Sequence, residues 1–233
     1  MTESARTEIF ARLRRANQAS DATPLEAELT ALGSGPAATL PAQELCEAFL
    51  INILNNRGTA DCARNRAEAV DAVRNFLRDN YRSQRFVAGN DPRLAAMPWR
   101  NAGLLPRFGT LEDGEPIALS FARLGIAELG AIVTTTGKAN PAPNNLLCEQ
   151  HIVLVDVVDV VSDMEQAWEK LAPELQRGSR PRGINFIAGP SSTADIEGQL
   201  VYGAHGPKGW HVILLGEVPE GALERARARV AGN

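Results

Sequence analysis

The residues best placed to do chemistry fall in the last third of the chain, between Ile184 and Gly216. An apolar run there ends in Gly189 and Pro190, followed by Ser191, Ser192 and Thr193, with Asp195 and Glu197 just beyond. Read as a strand, a turn and a helix from about Ala194 to Val201, the segment presents free backbone N–H groups and hydroxyls at a helix N-terminus. Such a site binds phosphate or carboxylate. The same residues also suit a plain cap, with Ser192 or Thr193 accepting from the first turn and Asp195 set against the dipole. Asp195 and Glu197 are two apart and do not share a helix face, so they form no ready acid–base pair. The turn has neither the lysine of a Walker loop nor the Gly-x-Gly-x-x-Gly spacing, which weakens any nucleoside triphosphate reading.

Two further groups belong to this inventory. His205, in Gly203-Ala-His-Gly-Pro207, either titrates against a substrate from a strand-edge loop or fixes that loop through a backbone hydrogen bond. Glu128, in Ala127-Glu-Leu-Gly130, is either exposed in a turn or held near the loops where carboxylates act. The candidate acid–base residues are thus Glu128, Glu197 and His205. The candidate ligand-binding residues are Gly189, Pro190, Ser191, Ser192, Thr193, Asp195 and Gly206. No metal site is expected: an extended chain carries His211 as much as ~20 Å from His205. The three cysteines, Cys46, Cys62 and Cys148, include no Cys-x-x-Cys pair, which excludes a self-contained iron–sulfur cluster or zinc ribbon. No resident cofactor is expected, and an odd, scattered set of cysteines fits a reducing cytoplasm.

The elements that must position these groups follow from periodicity and breakers. Ile9, Phe10 and Leu13 give a helix over Glu3 to Ala16, then a loop through Pro24 and Gly33. Pro41 opens a helix that runs through Leu54. Asn65 with Glu68 forms a capping-box variant, starting a helix to about Asp79 whose apolar face is Ala67, Val70, Val73 and Leu77. Strands are expected at Arg85–Ala88, Ile117–Phe121, Ala131–Thr136, His151–Val155, Ile184–Ala188 and His211–Leu215, with a helix over Asp163–Leu175. His151–Val155 is apolar enough to be buried on both faces. Strands alternating with helices imply an α/β fold with helices on both faces of the sheet. Residues 1–40 form an N-terminal helix-and-loop extension and residues 41–233 a single α/β domain.

At 233 residues the chain can bury roughly 70% of its unfolded surface without staples. Its formal net charge of −4 disfavours a dedicated nucleic-acid binder. Between Arg57 and Arg107, however, ten arginines face five acidic residues, which suits a solvated helix surface or a docking face for an acidic partner. The most apolar stretch, Ile152–Val161, is interrupted by Asp156 and Asp159 and is too short to span a bilayer, so no membrane association is expected.

Three segments, Gly125-Ile-Ala-Glu-Leu-Gly130, Ile187-Ala-Gly-Pro-Ser-Ser-Thr-Ala-Asp-Ile-Glu197 and Val201-Tyr-Gly-Ala-His-Gly-Pro207, resemble the lactate-utilisation protein C (LUD-domain) family. The resemblance spans about Leu104 to Gly216. It implies a three-layer α/β/α sandwich similar to the sugar-phosphate isomerase and CoA-transferase-like fold. It also implies a part in oxidising L-lactate to pyruvate, with iron–sulfur and cysteine-rich subunits as partners. The family has Ala-Glu-Thr-Gly where this chain has Ala127-Glu-Leu-Gly130. It also has a Gly-rich loop and a Pro-Asp pair where this chain has Lys138-Ala-Asn-Pro-Ala-Pro143 and Glu149-Gln150. Those differences lie at the loop that the resemblance implies for ligand. Two functions are compatible with the whole reading. One is an accessory or ligand-binding subunit of a cytoplasmic lactate-oxidising system. The other is an enzyme or binding protein that takes a phosphorylated or carboxylated metabolite, a hydroxy acid or a phosphate, at the Gly189–Thr193 helix N-terminus.

Overall fold

The computed structural model describes the chain except residues 1–2, 17–21, 34, 36–38, 177–179, 197–198 and 233. Contacts divide it into two units, Met1–Ala37 and Ala38–Asn233. The first contains helices α1 (Glu3–Ala16) and α2 (Ala22–Ala31), the second of which lies where the sequence suggests only a loop.

In the second unit the order is α3 (Leu45–Asn55), β1 (Thr59–Ala63), α4 (Arg66–Tyr81), β2 (Arg85–Ala88), α5 (Pro92–Ala95) and β3 (Leu105–Phe108). Next come β4 (Ile117–Phe121), β5 (Leu124–Ile126), β6 (Ala131–Thr135), α6 (Ala142–Leu146), β7 (Gln150–Asp156), β8 (Val160–Val161) and α7 (Met164–Gln176). The chain ends with β9 (Ile184–Ile187), β10 (Ser192–Ile196), β11 (Gln199–Tyr202), β12 (Gly209–Leu215) and α8 (Ala222–Ala231).

Six strands form an all-parallel sheet in the order β1-β12-β7-β4-β2-β3. Its centre is buried on both faces, as its unbroken apolar runs require: all of β4 and six of the seven residues of β7 are buried. Leu77 and Val73 of α4, with Leu94 and Trp99, pack on one face against Ile152, Leu154 and Ile213. On the other face Phe49 and Ile53 of α3 and Leu223 of α8 pack against Val153, Val155, Val212 and Leu214. A second sheet, β8-β5-β6-β9, shares that second layer through Ile132 and carries Ala167 and Leu171 of α7 on its outer side. The α/β class and the helix-covered parallel sheet are therefore as expected, with this small sheet as an addition.

Helix α4 shows how local chemistry sets the frame. Asn65 Oδ1 accepts from the Ala67 and Glu68 N–H groups at 3.0 Å each, and the Glu68 carboxylate accepts from the Arg64 N–H at 2.9 Å. This is the anticipated capping box, shifted back by one residue at its return bond. Ala69, rather than the expected Ala67, completes the buried face with Val70, Val73 and Leu77.

The helix expected from Ala194 to Val201 is absent among the described residues. Ser192–Ile196 and Gln199–Tyr202 pair as an antiparallel hairpin, with Ser192 opposite Tyr202 and Thr193 opposite Val201. The physical reason lies in the residue types: Thr193, Ile196, Val201 and Tyr202 favour a pleated strand, and only Glu-Gly separates the paired residues Ile196 and Gln199. No helix N-terminus exists at Gly189–Thr193.

Candidate functional site

The three motif segments converge, and the last turn of α3 gathers them. Asn52 Nδ2 donates to the carbonyls of Ala127 (2.8 Å) and Glu128 (3.0 Å), and Asn56 Nδ2 donates to that of Leu129 (2.7 Å). Gly130 and Gly189 both have positive φ, +57° and +107°, and both press on this turn. A Cβ at Gly130 would lie 2.4 Å from the Asn52 carbonyl carbon, and one at Gly189 2.5 Å from the Asn56 oxygen. Just beyond, the Arg57 guanidinium sits 5.1 Å above the ring of Tyr202. Asn52 near the end of this helix and Asn56 at its C-cap are the readable sign of this hub, and both lie outside the motif segments.

The candidate residues fare unequally. Ser191 binds the loop of His205 and Gly206: its N–H donates to the Pro207 carbonyl (2.8 Å), its carbonyl accepts from Gly203 N–H (2.9 Å), and its Oγ accepts from His205 N–H (3.3 Å). The Ser191 backbone groups are thus bonded to the neighbouring loop, and Gly189–Thr193 leads into a strand in place of the helix N-terminus expected there. Ser192, Thr193 and Asp195 belong to β10, and Pro190 is half-buried at the turn. The His205 side chain is exposed, and the expectation for Glu197 lies outside the described residues. Glu128 goes elsewhere: its half-buried carboxylate accepts from the Met164 N–H (3.4 Å) at the first residue of α7. No hydrogen bond among the described residues joins it to His205.

A different place has the makings of a ligand site. Between the layers His151 is wholly buried, its Nε2 2.7 Å from Ser120 Oγ, and burial pushes its pKa down to about 3, leaving a neutral imidazole. On the facing small sheet Thr134 Oγ1 accepts from Asn145 Nδ2 (3.5 Å) and Asn185 Nδ2 (3.4 Å), and Asn185 Nδ2 also reaches Thr136 Oγ1 (3.3 Å). This network runs outward into a cavity of about 1060 Å³ lined by Thr110, Thr135, Thr136, Lys138, Glu174, Arg180 and Arg182, with Asn90, Gly137 and the Pro141–Pro143 segment.

The cavity stands just past the carboxyl ends of β2 and β3, where Asn90 and Thr110 follow those strands. From β2 the chain moves outward to β3, whereas from β4 it moves the other way to β7 and β12. Open parallel sheets take ligands at the ends of strands beside such a reversal. Glu174 is bound by Arg123 at 2.9 Å, whereas Lys138 and Arg182 have no ion-pair partner among the described residues. The wall is therefore net cationic in a net-negative protein. Asn140, within the lining loop, donates to the Thr135 carbonyl (3.4 Å), yet its own Oδ1 and that of Asn145 are buried with no donor among the described residues.

Residues 116–215 match the family model described as the LUD domain. Over that span the chain is similar to the LUD domain. Lactate utilization protein C of Exiguobacterium sp. is 29% identical to this chain over 174 residues, covering 71% of this chain and 75% of that protein. The protein of the same name from Bacillus subtilis is 28% identical over 193 residues, covering 72% and 79%. A crystal structure of a DUF162 family protein from Deinococcus radiodurans superposes with a TM-score of 0.57 at 21% identity, covering 74% of this chain and 96% of that one. That likeness concerns the fold. The matched span runs from the start of β4 to the end of β12, so it holds Glu128, the Ser191–His205 loops and most of the cavity wall. Asn52, Asn56, Asn90 and Thr110 are supplied from outside it. No helix among the described residues is long and apolar enough to cross a membrane.

Proposed function

We propose that this protein serves lactate utilisation as an accessory, ligand-binding subunit that holds a small hydroxy acid in the Thr136–Lys138–Arg182 cavity. The observation that carries the reading is the cationic wall of that cavity, where Lys138 and Arg182 have no ion-pair partner among the described residues. A carboxylate answers the cations. A hydroxyl on the neighbouring carbon finds hydrogen-bond partners in the threonine hydroxyls of the same wall, on Thr110, Thr135 and Thr136. A hydroxy acid engages both. The names of the relatives point to the same class of compound. Iron–sulfur and cysteine-rich partner subunits would carry the electrons.

The cavity is roomy for a three-carbon acid, so affinity in the isolated chain should be weak, with a Kd on the order of millimolar. Titrations followed by NMR should show L-lactate binding more tightly than acetate, which has the carboxylate but no hydroxyl. The Lys138→Glu/Arg182→Glu double variant should lose both. Equal affinity for acetate and L-lactate would refute the hydroxy-acid assignment. For the subunit role, lactate-dependent dye reduction by the two presumed partners should fall when this chain is left out, and undiminished activity would sink that role.

A further inference from the structure

The arginine surplus between Arg57 and Arg107 does not spread evenly over the surface. Arg74, Arg78, Arg82 and Arg85 line one cleft of about 640 Å³ at the β3 edge of the main sheet, together with Ser83, Gln84 and two leucines, and no carboxylate is among the lining residues. Arg74 and Arg78 are partly neutralised by Asp71 (3.0 Å) and Asp79 (2.8 Å), whereas Arg82 and Arg85 have no ion-pair partner among the described residues. The negative end of the α4 dipole accounts for Arg78 and Arg82. It does not account for Arg74, two turns from that end, or for Arg85, which belongs to β2.

The cleft continues into two further hollows, of about 690 and 520 Å³, and all three share Leu105. Leu105 is 56% exposed and Phe108, also on β3, 37%. An apolar centre with an arginine rim is the composition of a protein-binding surface. The edge is also prevented from extending the sheet. Leu105 and Gly109 turn their N–H groups inward to the carbonyls of Gln84 and Ala88, both at 2.9 Å, so Pro106 occupies an outward position and lacks the donor a further strand would need. Whatever docks here is held by side chains.

We propose that the β3 edge is a docking surface for an acidic segment of a partner protein. The segment seats an apolar side chain against Leu105 and Phe108 and directs its carboxylates to Arg74, Arg78, Arg82 and Arg85. Charge complementarity sets the sign of the occupant. The apolar centre favours a polypeptide over a nucleic acid, which would need a row of stacking faces along the cations.

Selection of a random twelve-residue peptide display library on the whole protein tests this directly. Wild-type protein should enrich peptides that combine Asp or Glu with a Leu, Ile or Phe. A selected peptide should lose affinity by about tenfold or more on the Arg82→Glu/Arg85→Glu variant, because like charges then face each other. Leu105→Ser, a milder surface change, should keep the acidic preference and lose the apolar one. Circular dichroism and thermal melts confirm that each variant folds. Absence of acidic enrichment on wild type, or enrichment that the charge-reversal variant retains, overturns the proposal. Binding of a single-stranded oligonucleotide that the same variant abolishes, with no acidic peptides selected, overturns it in favour of nucleic acid.

Discussion

At the scale of single residues, two buried histidines make the protein sensitive to mild acid. His151 is sealed between the layers against Ser120. His211 lies under the Phe76 ring, with centroids 4.0 Å apart, and its Nδ1 is 2.8 Å from Thr59 Oγ1. Burial pushes both pKa values down to about 3, with Arg227 adding to the effect at His211, although the Asp61 carboxylate lies 3.5 Å from its Nε2. Unfolded, each would titrate near 6.5. Above that pH neither state is protonated and the histidines contribute no slope. As pH falls below it the unfolded chain alone takes up protons, so stability declines until the folded pKa near 3 is reached. The loss should be roughly 1 kcal/mol per pH unit for each histidine. Urea melts at pH 7.5, 6 and 5 should show it, and His151→Gln should halve the slope between pH 6 and 5, whatever it costs at neutral pH. A flat profile over that window would mean that the imidazoles are hydrated. None of this was legible in the sequence, where His151 and His211 merely begin apolar runs, because burial depends on which strands become central.

At the scale of elements, sequence patterns predicted what local chemistry decides and missed what pairing decides. The Asn65 cap, the strand at Ile117–Phe121 and the doubly buried strand after Gln150 follow from residue type and periodicity alone. Thr59–Ala63 and Leu105–Phe108 are short edge strands that exist through their partners, β3 beside β2 across an intervening helix and β1 beside β12 some 150 residues later. The hairpin at Ser192–Tyr202 shows the opposite failure: Ala194, Asp195 and Glu197 invite a helix, but the surrounding β-branched residues and the returning strand prevail. Long-range closure of the same kind fixes α3 to the β5–β6 turn through Asn52. Asn52→Ala removes two donors from the Ala127 and Glu128 carbonyls while keeping the helix intact. It should cost about 1–3 kcal/mol and loosen the Leu129–Gly130 turn. Thermal denaturation gives the first quantity and amide hydrogen exchange at Leu129 and Gly130 the second. Unchanged exchange there would show that Gly130's close approach to the helix holds the turn without the asparagine.

At the scale of the whole molecule, the division of the chain separates two kinds of surface. All three apolar clusters are built from residues beyond Leu40, whereas Ile9, Phe10, Leu13, Leu29 and Leu32 of the first unit are 47–79% exposed. A helix of 14 residues, such as α1, is marginal in water when its apolar stripe has nothing to bury against. Residues 38–233 contain every strand among the described residues, the cavity and the arginine cleft, and all the described members of the three apolar clusters. We therefore propose that the chain from Ala38 onward is the folding unit, with a melting temperature within about 2 °C of the full chain, since a change of 1 kcal/mol would move it by about that much or more. Differential scanning calorimetry of the two forms decides the matter. A drop of about 10 °C would mean that the first unit covers apolar surface of the second. An unchanged melting temperature would leave the exposed Ile9–Phe10–Leu13 stripe outside the energetics of this fold.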